Sequence, residues 1–312
     1  VTSRTVRVRA HAKLNLSLRV LYKRPDNFHE LRTVFQTISL ADELTISYRE
    51  APETRIAIAN NAIPDNLIER AARRCLDEMR LAADVNFTLK KRIPMGAGLG
   101  GGSSDAAAVL LALPVLAGKS IPMERLVEIG ASLGSDVPFF LYGGTALGLG
   151  KGEELYPLPD VQARHGLLIA PEIHVSTPDA YRALSARLGE PRPKLAAFQQ
   201  GCWQAAGFEP VNDFEDAVFD REPRLAAIKK SLIQKGAEIA LMTGSGSAIF
   251  AFFNTKETLD RVVQSLGGER VYEIRLLSGQ SYRRQWLRRL EKHRKKGTLN
   301  DKLWPPRSRY AR

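Results

Sequence analysis

Residues 94–107 read PMGAGLGGGSSDAA, five glycines and two serines set between a strand-like run, VNFTLKKRI (85–93), and a run of alanines and leucines. Glycine lets the backbone curl with its N–H groups turned inward and puts no Cβ in the way of an anion. The helix predicted to follow presents unpaired N–H groups and the positive end of its dipole at the same place. The stretch therefore reads as a phosphate site at a strand-to-helix passage, with Ser103 and Ser104 as hydroxyl ligands for phosphate or for a magnesium ion. Gly96, Gly98 and Gly101 also satisfy GxGxxG. A dinucleotide fold, however, wants an acidic residue at the end of the next strand about 20 residues on, after a buried strand. Here Lys90, Lys91 and Arg92 precede the loop, and the region around Glu124 reads as helix. A Walker A loop is excluded because no lysine stands between the glycines and the serine pair. The plain alternative, a flexible linker, fits poorly between a regular strand and a capped helix.

Working outward, TVRVRAHAKLNLSLRVL (5–21), TVFQTISL (33–40) and DELTISY (42–48) alternate apolar and polar residues as half-buried strands do. NLIERAARRCLDEMRLA (66–82) changes to helical spacing, with Asp65 or Asn66 placed to cap it. The helix SSDAAAVLLALPVLA (103–117) offers Ser103, Ser104 and Asp105 as caps, and ERLVEIGASLG (124–134) is a further helix. SDVPFFLYGGTALGLGKGEEL (135–155) reads as a turn, a strand and a glycine-rich reversal. From HGLLIAPEIHVSTPDAYRAL (165–184) onward, a strand and capped helix open a second unit. Strands and helices alternate through EIALMTGSGSAIFAFF (238–253) and KETLDRVVQSLGG (256–268), which predicts an α+β sandwich. The expected organisation is a domain over 1–160, a second over 161–283, and a basic extension over 284–312 read as a short helix followed by disorder.

A chain of 312 residues with 44% hydrophobic and 26% charged residues has the composition of a soluble globular protein. No stretch approaches the roughly 18 apolar residues of a membrane span, and the first residues lack a signal peptide's apolar block. A cytoplasmic address and no membrane partner are expected. Cys75 and Cys202 form no CxxC or Cys/His cluster, so neither a structural metal nor a redox pair is expected. The net charge of +12 suggests a nucleic-acid binder until it is located: Tyr282 to Arg312 carries twelve Lys/Arg against Glu291 and Asp301. The rest is nearly neutral. Any polyanion binding would belong to the tail, which has no pattern of aromatic platforms, and nucleic acid is not the expected partner.

With two more motifs in order, AKLNLSLRV (12–20) and MTGSGSAIFAFF (242–253), the glycine stretch resembles the three signatures of the GHMP kinases. Within that family the resemblance is to the branch that acts on a CDP-linked methylerythritol. It is carried by RPDNFHELRTVFQTISLADEL (24–44), IPDNLIERAA (63–72), LGSDVPFFLYGG (133–144) and TPDAYRAL (177–184). The resemblance implies an α+β fold of two domains with the site in the cleft between them. It also implies ATP and Mg²⁺ as cofactors, and phosphoryl transfer to the 2-hydroxyl of CDP-methylerythritol as small-molecule substrate. A monomer or weak homodimer is expected. A sibling kinase acting on homoserine or mevalonate stands as the alternative, as does a nucleic-acid role for the tail.

Residue by residue, the resemblance makes Asp136 the general base and Lys13 the cation that orients it; alone, these would read as a turn aspartate and a solvent-facing strand lysine. Asn15, two residues on and on the same face, becomes a substrate hydrogen-bonder. Pro94, Gly96, Gly98, Leu99, Gly100, Gly101, Gly102, Ser103 and Ser104 would hold the ATP phosphates. Asn66, Lys91 and Asp105 align with positions lining the purine pocket, although capping explains Asn66 and Asp105 equally. Phe28 and His29 match the residues that stack on and hydrogen-bond the pyrimidine, with Tyr181 as the opposing aromatic face and Thr177 near the diphosphate. Gly244, Ser245 and Gly246 would approach the substrate from the second domain, though a Gly/Ser hairpin turn needs no further explanation. The metal ligands stay open. Asn27 stands where the family usually has Gly, Phe28 where it often has Tyr, and the basic tail has no family counterpart.

Overall fold

A computed structural model describes residues 3–59, 66–161, 164–186 and 209–293. The alternating N-terminal pattern forms one 20-residue strand, β1 (Arg4–Lys23), and the two runs after it merge into the 22-residue β2 (His29–Glu50). These two pair antiparallel along their length, with register irregularities between His11 and Lys13, Asn15 and Ser17, and Val20 and Tyr22. Around them lie β3 (Arg55–Ala59), α1 (Leu67–Met79), β4 (Ala83–Lys90), α2 (Gly101–Ala117), α3 (Met123–Leu133), α4 (Val137–Tyr142), β5 (Thr145–Leu149) and β6 (Glu154–Pro157). The first sheet runs β3-β4-β2-β5-β6, with β1 also paired to β2.

The second unit holds β7 (His165–Ile169), α5 (Thr177–Ser185), α6 (Glu215–Phe219), α7 (Pro223–Gln234), β8 (Ile239–Met242), β9 (Ile249–Phe253), α8 (Lys256–Ser265) and β10 (Val271–Ile274). Its sheet runs β10-β7-β9-β8, antiparallel throughout. The two-residue period of a strand splits its side chains between two cores. On β9, Ile249, Ala251 and Phe253 face the helices of the second unit, while Phe250 and Phe252 pack with Leu14, Leu16 and Val34 of the first sheet. The two-domain α+β fold expected from the sequence is the one observed.

β1 serves three cores in turn. Val6, Val8 and Ala10 join the core under α1 and α2; Ala12, Leu14 and Leu16 join the one between the sheets; Leu18 and Val20 join that of the second unit. Two of its irregularities, between His11 and Lys13 and between Asn15 and Ser17, flank these changes, as bulges that bend and twist a strand would.

Three local expectations change. Val137–Tyr142 is helix, not strand, because a six-residue apolar run carries no period of its own and Pro138 sits in the first turn, where its fixed φ suits a helix. The helix after the glycines begins at Gly101, two residues before the predicted caps, and Gly100 caps it with no side-chain bond. The expected start of the extension, residue 284, falls inside helix α9 (Gly279–Leu290), whose Tyr282, Trp286 and Leu290 are buried in the first core. The remainder of the tail, 294–312, lies outside the described residues, as does Cys202.

Candidate active site between the two sheets

Lys13 is almost wholly buried, and its Nζ donates to Asn15 Oδ1 at 2.6 Å and lies 3.5 Å from Asp136 Oδ2. The ring of Phe35 is 5.5 Å below it, so an apolar face holds the ammonium on one side. Asn15 is fixed in turn, since its Nδ2 donates to Thr33 Oγ1 at 2.8 Å. An ammonium has three donors; two are directed at Asn15 and Asp136, and one is left for a ligand. Asp136 precedes α4 and is half-buried, open to the same cavity.

The glycine loop is knitted to both β1 and the second unit. Lys13 N–H donates to Leu99 O at 3.1 Å, Ala248 N–H to Ala97 O at 3.3 Å, and Asn15 N–H to Thr243 Oγ1 at 3.0 Å. Gly98 sits at φ +76°, and a Cβ there would come within 2.1 Å of the Thr243 carbonyl oxygen. Only glycine lets the loop of the first domain approach the Thr243–Gly246 turn of the second so closely. Because Gly100 supplies no side-chain cap, the first-turn N–H groups of α2 stay available to an anion.

Two cavities meet there. One, of about 570 Å³, is bounded by Asn66, Lys91, Asp105 and the glycine loop from Pro94 through Gly96, Leu99, Gly101 and Gly102 to Ser103. The other, of about 760 Å³, contains Lys13, Asn15, Asp136, Phe28, His29, Tyr181 and Gly244 with Ser245. Gly98, Gly100, Ser103, Thr177 and Pro178 line both. Most of the predicted site residues are thus brought together. Ser104 and Gly246 border neither cavity: Ser104 is buried within α2, and Gly246 packs against Met242.

Below the first cavity lies a buried charge cluster. Asp42, fully buried, accepts the N–H groups of Arg92 at 2.6 Å and Ile93 at 2.9 Å and pairs with Lys91, which also reaches Asp105 at 3.1 Å. Burial pushes the Asp105 carboxyl up to about 7, against the pull of Lys91 and with help from repulsion by Asp42. Burial pulls Lys91 down, but the two carboxylates outweigh it and its pKa is raised. Among the described residues Asp105 Oδ1 has no hydrogen-bond partner. Asn66 combines two tasks, capping α1 by accepting the Ile68 N–H at 2.9 Å while lining the cavity.

At the far end of the larger cavity His29 stacks directly on Tyr181, with ring centroids 4.7 Å apart and an interplanar angle of 27°, and its Nε2 is 2.7 Å from Ser185 Oγ. Burial, with the Lys23 charge nearby, lowers the His29 pKa, which favours the neutral imidazole. Phe28 is exposed, with the Lys151 ammonium 4.5 Å from its ring centroid.

GHMP kinase N-terminal domains match residues 66–144, and GHMP kinase C-terminal domains match residues 192–273. A 4-diphosphocytidyl-2-C-methyl-D-erythritol kinase of Solibacter usitatus is 51% identical over 99% of this chain and 99% of its own. The chain belongs to the 4-diphosphocytidyl-2-C-methyl-D-erythritol kinase family. A kinase of the same name from Geobacter sulfurreducens is 38% identical over 83% of this chain and 94% of its own. A crystal structure of 4-(cytidine 5'-diphospho)-2C-methyl-D-erythritol kinase superposes with a TM-score of 0.73 at 34% identity, covering 88% of this chain and 99% of that one. Homoserine kinase from Cytophaga hutchinsonii, at 18% identity and a TM-score of 0.64 over 88% of this chain and 96% of its own, shares the fold.

In this member of the family, sequence reasoning passed over several cavity residues. Lys23, Lys151 and Arg182 add positive charge to the wall of the larger cavity, and Thr33 holds Asn15. Lys151, in the GLGKGEE reversal, had a signal: a lone lysine between glycines projects from a turn. Lys23 and Thr33 had none, since strand alternation does not tell a cavity wall from any other sheet face. No helix among the described residues is long and apolar enough to cross a membrane, and no cluster of three His, Cys, Asp or Glu able to hold a metal occurs among them.

Proposed function

We propose that the chain transfers the γ-phosphoryl group of ATP to the 2-hydroxyl of 4-(cytidine 5'-diphospho)-2-C-methyl-D-erythritol, a step of the non-mevalonate isoprenoid route. The observation that carries this reading is the Lys13–Asp136 pair, 3.5 Å apart, in the cavity that shares Gly98, Gly100 and Ser103 with its neighbour. The glycine-lined cavity takes the nucleotide and the larger one the alcohol, so the reacting groups meet where the two join.

Phosphoryl transfer asks the protein for position and charge more than for covalent chemistry. The uncapped amides of α2 cradle the phosphates, and Ser103 supplies a hydroxyl at the seam. A magnesium ion prefers few protein oxygens together with the nucleotide's own phosphates, and one serine hydroxyl beside a phosphate loop fits that donor set. When bound there, held by Ser103, it would neutralise phosphate charge. Asp136 accepts the proton of the substrate hydroxyl; the third Lys13 donor steadies the oxygen as charge develops on it. Asn15 and its Thr33 partner orient the alcohol. Phe28 offers a face for the pyrimidine beside the His29–Tyr181 stack, and Lys23 and Lys151 balance the diphosphate. The enzyme works in the cytoplasm beside its cosubstrate, as a monomer or weak homodimer.

The test is a coupled assay of ADP release with three alcohols. The proposal expects turnover with the CDP-linked methylerythritol and none above background with homoserine or mevalonate. Turnover of either of those in its place would assign the chain to a sibling activity.

A further inference from the structure

A third cavity, of about 300 Å³, opens between β1 and α9 and shares no lining residue with the two site cavities. Its floor is His11, 2% exposed, held by the Ile38 carbonyl at Nδ1 and by the Gln285 amide at Nε2, both at 3.0 Å. Three arginines line the same cavity: Arg9 from β1, and Arg288 and Arg289 from the last turn of α9. The negative end of the helix dipole accounts for cations at positions 288 and 289. It does not account for Arg9. The residue facing Arg9 in the sheet is Glu43, and that carboxylate pairs with Arg7 at 3.9 Å instead. None of the three arginines makes an ion pair or a hydrogen bond among the described residues.

Three permanently charged side chains, contributed by two elements to the lining of one concavity, match an anion with several oxygens, because guanidinium donors pair bidentately with phosphate. A volume near 300 Å³ is at the small end of ligand sites, large enough for a diphosphate and its immediate substituent. Trp286 lines the wall but is 3% exposed, so it offers no free face on which a base could stack, as single-stranded nucleic acid would need. We propose that this cavity binds a small phosphorylated anion, of the diphosphate class, at a site separate from the kinase centre. The proposal does not rest on the assigned kinase substrate.

Inorganic pyrophosphate is the probe, titrated calorimetrically into the full chain at low salt with both site cavities filled, by a saturating non-hydrolysable ATP analogue and by the CDP-linked methylerythritol. One equivalent is expected to bind and to change Trp286 emission. The Arg288→Gln/Arg289→Gln double variant and, independently, Arg9→Gln should each weaken binding at least about tenfold, the loss of one charge-assisted contact. Both should keep the wild-type kcat and KM for ATP, which also shows that they fold. Absence of saturable binding to the wild type, or equal binding by the variants, overturns the proposal. So does a short single-stranded RNA that binds these arginines while pyrophosphate does not.

Discussion

Lys13 on β1 and Asp136 before α4 face each other at 3.5 Å, with Asn15 taking a second Lys13 donor at 2.6 Å. A nearly buried ammonium is thereby neutralised by a carboxylate that remains open to the cavity. That inequality is useful for chemistry: the lysine is fixed by its surroundings, while the carboxylate can approach a ligand. Replacing Asp136 by Ala is expected to lower kcat about 10²–10⁴-fold, the usual contribution of a general base, with little change in the KM for ATP. Steady-state ADP release checks this, with far-UV circular dichroism to show that the variant is folded.

The two glycine turns touch, and the contact is position-specific. Gly98→Ala puts a methyl 2.1 Å from the Thr243 carbonyl oxygen at φ +76°, so a loss on the order of 3 kcal/mol is expected. Gly102→Ala is the control. Its nearest neighbour would be Leu67 Cδ1 at 3.8 Å, and within a helix alanine is favoured over glycine by about 1 kcal/mol. Thermal denaturation should show a lower Tm for the first and an unchanged or higher one for the second.

Asp42 is expected to be a stability residue for the nucleotide side. Asp42→Ala strands the Arg92 and Ile93 N–H groups and removes one of the two carboxylates on Lys91. Breaking such a buried arrangement costs about 3–5 kcal/mol. Urea denaturation measures it.

Asp105 sets a pH dependence whose sign follows from its raised pKa. Between its unfolded value near 4 and about 7, the folded chain holds a proton that the unfolded chain has released, so stability from this group is full below that window. It is lost as pH rises through about 7. Relative to Asp105→Asn, the wild type should therefore lose stability from pH 4 to 7 and level off above. Unfolding free energies across that range would show a constant difference if Asp105 did not titrate there.

Phe28 is exposed at the cavity mouth and supports nothing beneath it in the core. Phe28→Ala should raise the KM for the CDP-linked alcohol about tenfold, from one lost base stack of about 1–3 kcal/mol. The KM for ATP and the Tm should not change.

Much of this was legible in the chain because it is local. Glycines before an alanine-rich helix, strand alternation around Lys13 and Asn15, and the Gly/Ser turn at Gly244 each carry their own physical signature. What was illegible depends on partners distant in sequence. The six residues Val137–Tyr142 are helical by packing, since all but Tyr142 are buried and nothing in so short a run fixes its period. Ser103, Ser104 and Asp105 look like caps in sequence, yet Gly100, at positive φ, caps the helix earlier and all three lie inside it. Charge counting made the chain from residue 284 onward a basic extension, a short helix followed by disorder. Tyr282, Trp286 and Leu290 recur at helical spacing among the arginines and anchor α9 in the first core.

The most direct measurement is ³¹P NMR of the product formed when the full chain is incubated with ATP, Mg²⁺ and the CDP-linked methylerythritol. A new phosphomonoester on the 2-hydroxyl is expected, with one ADP for each ester formed, and its formation should slow about 10²–10⁴-fold with Asp136→Ala. An unchanged substrate spectrum beside ATP turnover on homoserine or mevalonate would contradict this reading.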